Sequence, residues 1–530
     1  MARAAMAAAP AARDVDPDSP LMIDGASDSR RTLLGICLTV GGSFTVMASF
    51  NYVLTPMLTD LGLTQDQASI ALSIPPIASL LVVFLAGTLG DRRGHRTVMI
   101  WMSLAFIVGS AVVGIAQGLP AVVIGLLIEG IAATAIQIIG IGLLSDRFSD
   151  PRARAAAFGT FGMVSPLVWL ALPVFTGWIV GEASWRWVPV LWVGCGVLML
   201  AATVLLLPRP SSTTPLGEIA TPILAGATVA AAVQWLNRVS DEGLFAPVTL
   251  VSLIITCGMA ITCTMLMRRL PSPNFSLAPL RVTRARSLLV VIIIIPLINT
   301  IFLMTMAFQY LYGLSVLQTA LVMVPAQAAA MVGTRLIAGP LMRRIGVTST
   351  ATVFFAVLSV AMLGVFAITP TSALWVPIVY VSVYNVLTVG ASITVTSGVL
   401  TSAPGVDSGQ LSAYRGSAQS LGVVLAVVVM NTAVFSLGRA FMSTDLQANG
   451  MSEDDAATLM EDMQASATSP EVMSQYAVPL PSGVETTQVM AESIVAGLHV
   501  NGLIGCALAL TCVVLMRVGR RRATASAEVR

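Results

Sequence analysis

Long apolar runs, separated by short polar or glycine-rich segments, recur along almost the whole sequence. About twenty apolar residues in a helix cross the hydrocarbon core of a bilayer, and the segment between two such helices must lie at a membrane surface. Of the 530 residues, 56% are hydrophobic and only 10% are charged, whereas soluble domains carry about 25% charged residues. The chain is therefore predicted to be an all-α integral membrane protein. We predict fourteen spans, at roughly 32–55, 68–90, 97–117, 120–144, 155–178, 187–207, 219–236, 247–267, 288–312, 316–340, 349–369, 374–398, 411–436 and 490–516.

Arginine is distributed unevenly between the two sides of this arrangement. With the N-terminus inside, the outer loops carry only Arg186, Arg238 and Arg439, whereas several inner loops carry arginine clusters. Short cytoplasmic loops are enriched in positive charge, so both termini are predicted to be cytoplasmic. Because the chain has no Lys and is rich in Ala, which is typical of a GC-rich bacterial genome, we expect a multi-pass protein of the bacterial cytoplasmic membrane.

The segment from Gly87 to Arg96 reads Gly-Thr-Leu-Gly-Asp-Arg-Arg-Gly-His-Arg and joins the second and third spans. Its glycines allow a sharp turn and close helix packing, and its Asp91 can pair with an Arg or cap a helix N-terminus. The segment 339–346 repeats the skeleton as Gly-Pro-Leu-Met-Arg-Arg-Ile-Gly, with Arg343 in the place of Asp91. Two related halves are therefore predicted.

The pattern Gly-x-Leu-x-Asp-Arg-x-Gly-x-Arg resembles the loop between helices 2 and 3 of the major facilitator superfamily of secondary transporters. Trp185-Arg186-Trp187 matches a motif of its fourteen-helix branch, whose best-known members are drug:proton antiporters. The resemblance implies the major facilitator fold, two six-helix halves plus two inserted helices. The domains would be a disordered cytoplasmic tail at 1–29, halves at 30–210 and 271–516, inserted helices within 211–270, an extracytoplasmic acidic loop at 437–489 and a cytoplasmic basic tail at 517–530.

The same resemblance implies an inner gate, in which the first loop and a carboxylate at the inner end of helix 4 hold the two halves together. The candidate gating residues are Gly87, Gly90, Asp91, Arg92, Gly94, Arg96 and Asp146.

Three motifs of the antiporter branch are missing from this chain. Met47 stands where the branch has a helix-1 Asp, and Leu126 stands where it has a helix-4 Arg. The Gly-Pro signature of helix 5 survives only as Leu172-Pro173 and Thr176-Gly177. The usual charge partners of proton coupling are therefore absent or moved.

Glu129 is the candidate proton-coupling residue. It falls in the middle third of the fourth span, where an isolated carboxylate costs a few kcal/mol and implies a cavity, a partner or a bound proton. A location nearer the outer end, with access to water or a paired helix, is the alternative. Glu492 and His499 share one face of the last span and could form a proton relay, although a packed, hydrogen-bonded His is the alternative there.

A substrate of this fold lies between the halves, against the first and fourth helix of each. Those helices carry amides, hydroxyls and aromatics with one carboxylate, which favours a small lipophilic or amphiphilic ligand. Each polar residue could instead serve helix–helix hydrogen bonding, and Arg335 could instead snorkel to the inner surface. The candidate substrate-binding residues are Asn51, Gln137, Trp169, Asn299, Gln309, Tyr310, Arg335, Tyr384 and Asn385.

The segment 437–489 is acidic, and within it Ser452 and Asp455 have the spacing of a capping box, followed by apolar residues on one helical face. A short external helix is predicted, as a lid or a solvated tether.

The function predicted from these features is proton-coupled efflux of lipophilic or amphiphilic compounds, of the multidrug type, by alternating access. An uncoupled facilitator or lipid-type carrier is the alternative, and a sensor or scaffold would not need the polar residues. An enzyme is not expected, because two histidines and six dispersed cysteines offer no nucleophile or metal cluster. We expect protons and membrane lipids as partners, no cofactor, metal or nucleic acid, and a monomer.

Overall fold

The computed structural model describes residues 20–63, 65–209, 218–270, 280, 282–314, 316–403, 408–429, 436–466, 480–482 and 485–528. These residues are almost entirely helical, which confirms the all-α prediction. The helices of the first half are α1 (Pro20–Ser43), α2 (Thr45–Leu61), α3 (Gln65–Arg93), α4 (His95–Gly114), α5 (Leu119–Arg147), α6 (Pro151–Phe161), α7 (Val164–Glu182) and α8 (Trp187–Leu206). Two helices follow, α9 (Ala220–Glu242) and α10 (Pro247–Arg269).

The second half begins with α11 (Thr283–Leu297) and α12 (Ile301–Met306), and α12 continues as a π-helical turn at Ala307–Leu311. Another π turn, Thr334–Ala338, separates α13 (Val316–Gly333) from α14 (Gly339–Ile345). The remaining helices are α15 (Val347–Leu363), α16 (Trp375–Leu400), α17 (Ser408–Val429), α18 (Ser436–Ala448), α19 (Glu453–Ser466) and α20 (Thr486–Glu528).

Eleven helices of the described residues are long and apolar enough to cross a membrane. The chain is therefore a multi-pass membrane protein. Each of the fourteen predicted spans coincides with helical residues, but α9, α17 and the broken pair α11–α12 are not among the eleven. The count of fourteen stays a prediction.

Two bundles of helices lie side by side. Within the first, α5 packs on α3 and α4, and α8 packs on α1 and α4. Within the second, α16 packs on α13 and α15, and α11 packs on α17 and α20. The bundles meet along two seams: α17 lies against α3 and α5, and the α13–α14 pair lies against α6 and α7. The contacts between the two halves are therefore made by these seam helices.

The sequence repeat has a matching backbone conformation. Gly94 and Gly346, at equivalent positions of the two segments, have φ angles of 87° and 82°. This left-handed region is accessible to glycine without strain. At both glycines the backbone therefore turns directly from one helix into the next. We call this side of the molecule the inner side, after the predicted orientation.

The inserted helix α9 packs on α3 of one half and on α17 of the other. A Cβ on Gly226 would lie 2.6 Å from the Leu81 carbonyl oxygen, so glycine permits this close contact. Helix α10 packs mainly on α9, and it exposes large apolar side chains such as Ile254 and Ile261. Such a surface is suited to lipid.

Several element ends differ from the sequence predictions. Helix α1 begins at Pro20, so residues 20–29, predicted to be disordered, are helical, and Asp28 pairs with Arg147 there. Residues 1–19 lie outside the described residues. The last helix continues to Glu528, through most of the predicted basic tail, because nothing in that tail breaks a helix.

The segment 437–489 contains the predicted short helix. The amide of Asp455 donates to Ser452 Oγ at 3.1 Å, and the Ser452 hydroxyl donates to the Asp455 carboxylate at 2.6 Å. The capping prediction is confirmed. Apolar residues of this region, among them Met442, Leu446 and Ala456, form a separate small core.

Candidate substrate pathway and inner gate

The N-terminus of α17 is held by two carboxylates from the other half. Asp146, at the inner end of α5, accepts a hydrogen bond from Ser408 Oγ at 2.8 Å. Asp91, near the inner end of α3, accepts one from the Gly409 amide at 3.2 Å. Carboxylates at a helix N-terminus bind free N–H groups and the positive end of the helix dipole. Two of the predicted gating residues are thus brought to one point between the halves.

Glycines allow this contact to be close. A Cβ on Gly409 would lie 2.5 and 2.6 Å from the two Asp91 carboxylate oxygens and 2.6 Å from the Gly87 carbonyl oxygen. A Cβ on Gly87 would overlap the Gly409 backbone. Any larger residue at either position would separate α3 from α17 at the inner end.

His95 lies between the two gate carboxylates. Its Nε2 is 3.7 Å from Asp91 Oδ1 and 3.8 Å from Asp146 Oδ2. Gly90 leaves room for the imidazole, because a Cβ there would lie 3.4 Å from His95 Cδ2 and 3.0 Å from Ile139. The His95 Nε2 atom is too far from either carboxylate for a hydrogen bond and has no hydrogen-bond partner among the described residues.

Two of the remaining predicted gate residues, Arg96 and Gly94, have roles within their own half. Arg96 donates to the carbonyl oxygens of Thr203 and Val204, at 3.3 and 2.8 Å, so it caps the inner end of α8 instead of crossing the seam. Arg92 lies in the last turn of α3. Gly94 supplies the turn described above.

The second seam also closes at the inner side. A Cβ on Gly159 of α6 would lie 3.0 Å from the Gly339 Cα and 3.2 Å from the Thr334 carbonyl oxygen. Gly162 contacts Thr334 and Ile393 in the same way. Both seams are therefore in contact at their inner ends.

Glu129 is buried, with 2% of its surface exposed. Its Oε1 accepts a hydrogen bond from the Ser110 hydroxyl of α4, and its Oε2 has no hydrogen-bond partner in the described part of the chain. A Cβ on Gly109 would lie 2.8 Å from Glu129 Cγ. The side chain thus points at α4, within its own half, and not at the seam between the halves.

The predicted relay in the last helix does not form in this structure. His499 Nε2 lies 3.2 Å from the Ile368 carbonyl oxygen, and its ring stacks on Phe366. Glu492 accepts from Gln488 Nε2 at 3.3 Å. The geometry favours the alternative of a packed, hydrogen-bonded His499.

The predicted substrate residues of α16 serve helix packing. Asn385 Nδ2 donates to the Ala326 carbonyl oxygen and to Gln327 Oε1, both at 3.1 Å. Tyr384 is 3% exposed and belongs to the apolar core. Both residues therefore tie α16 to its neighbours in the same half.

Other predicted substrate residues keep access to a surface. Gln137 and Gln309 are half-buried, and Trp169, 36% exposed, lies on α7, which contacts α2 and α13. Asn299 is exposed in the break between α11 and α12, where its Oδ1 accepts from the Ile301 amide at 2.9 Å. Irregular backbone at membrane depth is tolerated where it lines a cavity.

Arg335 is exposed, and its neighbour Leu336 is 66% exposed, which favours the surface alternative for Arg335. The side chains of Asn51 and Tyr310 lie outside the described residues.

The Trp-Arg-Trp motif joins outer helix ends. Arg186 forms an ion pair with Asp60 at 3.0 Å and donates to the carbonyl oxygens of Gly114 and Ala116. The Trp185 indole donates to the same Asp60 carboxylate at 3.0 Å. Sequence reasoning missed Asp60 because its partner lies more than a hundred residues away.

Ser408 was also missed as a site residue, and the sequence interpretation of Arg415 was a gate or surface residue near the start of its span. Both lie on one face of α17, together with Ser412 and Gln419, at the spacing i, i+4, i+7 and i+11. This polar stripe in an apolar span was a signal available in the sequence.

Two bundles of membrane helices, in contact at their inner ends through glycines and two carboxylates, define a polytopic membrane protein of two halves. The model of the Major Facilitator Superfamily matches residues 36–427, and the chain belongs to this superfamily, whose members are non-enzymatic transporters.

Relatives and solved structures agree with this assignment. The chain is 28% identical over 193 residues to an uncharacterised transporter of the superfamily from Mycobacterium tuberculosis, a match covering 36% of the chain and 27% of that relative. It is 24% identical over 442 residues to the drug efflux pump JefA of the same species, covering 81% of this chain and 84% of JefA. The fold is similar to the human organic anion transporter TETRAN, with a TM-score of 0.55, 15% identity and coverage of 92% and 99% of the two chains.

Proposed function

We propose that this chain is a proton-coupled exporter of small lipophilic or amphiphilic compounds, with Glu129 as the group that takes up and releases the proton. The observation that carries the proposal is a buried carboxyl group in a membrane helix with one oxygen bonded to Ser110 and the other without a partner in the described residues. A carboxylate in such a place is stabilised by a proton. The similarity to JefA supports the export of drug-type compounds.

The position of Glu129 suggests how its protonation could affect the contact between the two halves at the inner side. Glu129 and Asp146 lie on the same helix, α5, about 25 Å apart along its axis. Loss of the proton leaves a charge between α4 and α5, at the tight contact of Gly109 with Gly125. Repacking there would move α5 and thereby weaken the contact of Asp146 with Ser408. Coupling then needs no direct contact between Glu129 and the substrate.

The test is transport by the full-length protein in proteoliposomes with an imposed pH gradient. The panel contains an uncharged dye, N-phenyl-naphthylamine, an anionic one, anilinonaphthalene sulfonate, and the lipophilic cation tetraphenylphosphonium. A proton moving down 100 mV supplies about 2.3 kcal/mol, enough to concentrate a neutral compound about fiftyfold. Glu129→Gln, which resembles the protonated carboxyl, should lose uphill transport and keep substrate exchange.

Glu492→Gln is the matched control, because it removes a carboxylate from another membrane helix where that carboxylate is exposed and bonded to Gln488. It should keep uphill transport. Uphill transport by Glu129→Gln would refute the role of Glu129, and a wild-type protein that moves none of the panel would refute the exporter proposal.

The uncoupled facilitator is a second candidate, favoured by Met47. Its side chain is 66% exposed on α2, at the position where the antiporter branch has an acid, so this helix brings no carboxylate there. Wild-type transport that ignores the pH gradient would establish the facilitator instead.

A further inference from the structure

Arg415 is a charged residue set inside the helix bundle. It lies seven residues after Ser408 on α17, about 10 Å from the inner gate along the helix axis. Its Nε donates to Thr396 Oγ1 of α16 at 3.2 Å, and Thr396 is 1% exposed. The Nε end of the guanidinium group therefore lies against a buried residue of the second half.

The positive charge of Arg415 has no counter-charge among the residues that the structure describes. No carboxylate among the described residues forms an ion pair with it, and α16 contains no charged residue. The acids of α5, the seam helix of the other half, bind Ser110 and Ser408 instead. A charge within a membrane protein ordinarily pairs or lines a pathway for an ion or substrate.

Most of the hydrogen-bonding groups of this region also have no partner among the described residues. A guanidinium has five N–H groups, and only the one on Nε has an acceptor in the part of the chain that the structure describes. Ser412 lies one turn before Arg415 on the same face, is fully buried, and its Oγ has no partner among the described residues. Several donors thus lie close together with no acceptor in the described part of the chain.

The polar face of α17 contacts both halves. Ser408, the first residue of the stripe, contacts Asp146 of α5, while Arg415 contacts α16. Gln419, one turn further from the gate, is exposed. The stripe therefore runs from the inner ends of the two halves, at Ser408, to an exposed residue, Gln419.

We infer that Arg415, with Ser412 and Thr396, binds the acidic group of an amphiphilic organic anion. A carboxylate, sulfonate or phosphate accepts paired hydrogen bonds from the terminal guanidinium nitrogens and supplies the missing negative charge. The inference rests on the proposed transport function and narrows its substrate class. The apolar part of such a ligand would lie along the apolar walls of the same pathway.

The test compares binding of anilinonaphthalene sulfonate and of uncharged N-phenyl-naphthylamine to the full-length protein in lipid nanodiscs, with empty nanodiscs subtracted. Arg415→Gln should weaken sulfonate binding by about ten- to a hundredfold, the range of a charged hydrogen-bond pair, and leave the uncharged dye unchanged. Arg415→Lys keeps the positive charge and should lose less affinity for the sulfonate. Arg286→Gln, which removes an exposed arginine at the inner end of α11, is the control and should bind both dyes normally.

Two results would overturn the inference. One is full sulfonate affinity in Arg415→Gln, and the other is equal loss of both dyes in Arg415→Gln and Arg415→Lys, which would mark a structural role. Wild-type protein that transports the uncharged dye and the cation but neither binds nor moves the sulfonate would also refute it, while the exporter proposal stands. Failure of the wild type with all probes refutes the exporter proposal itself.

Discussion

Replacing Gly409 by Ala should open the inner side of the transporter. In the closed seam the new methyl group would lie 2.5 and 2.6 Å from the Asp91 carboxylate oxygens and 2.6 Å from the Gly87 carbonyl oxygen. Neither neighbour is the flexible end of a long side chain, so α3 and α17 must separate. Overpacking of this kind costs about 1–3 kcal/mol.

This cost falls only on the state in which the two halves touch at Gly409, because the contact is lost when they part. The equilibrium should therefore shift toward the inward-open state by about five- to 150-fold, at 1.4 kcal/mol for each factor of ten. Asp91→Asn keeps the shape but removes a charge at the N-terminus of α17. That charge is worth about 0.3–2 kcal/mol, so the shift should be about two- to thirtyfold.

The assay is pulsed electron–electron resonance between spin labels on Arg93→Cys and Arg344→Cys, both exposed at the inner ends of opposite halves, after the six native cysteines are replaced. Gly409→Ala and Asp91→Asn should populate a longer distance between the two spin labels. Both variants should still bind the dye probes but transport them poorly. Gly194→Ala is the control, since a Cβ there meets nothing within 4 Å. Distance distributions identical to the control in both variants would refute the gating role.

Three further predictions concern the outer ends, the inserted helices and the topology. Arg186→Ala removes the ion pair with Asp60 and two carbonyl contacts, so the free energy of unfolding should fall by about 1–3 kcal/mol. Thermal unfolding measures it, and an unchanged midpoint would contradict the bracing role. Gly226→Val should also lower the midpoint because α9 can no longer approach α3, whereas Gly258→Val, which meets nothing within 4 Å, should not. A single Cys replacing Glu461 should react with an impermeant reagent from outside intact cells, and reaction only after permeabilisation would overturn the predicted topology.

Much of this protein could be predicted from local sequence. Apolar runs of span length, the doubled glycine-and-arginine segment and the capping box at Ser452 each depend on residues close together in the chain. The membrane class, the helical fold and the superfamily follow from them, because a bilayer leaves little choice of backbone structure. The resemblance singled out Asp91 and Asp146 as candidate gating residues, but it did not indicate their partners Ser408 and Gly409.

The directions of the buried polar side chains were decided only by tertiary structure. Spacing along one helix shows that residues share a face, but it does not show which helix occupies that face. Glu129 was placed on a cavity-lining helix by its sequence, and packing turned it toward Ser110 of α4. Asn385 was predicted to contact substrate, and in the structure its amide donates to Ala326 and Gln327 of α13. Arg415 was interpreted from its sequence position as a gate or surface residue near a helix start. It became a candidate binding group only when α16 and α5 were seen to bring it no carboxylate, because neutralising a charge depends on neighbours that are distant in sequence.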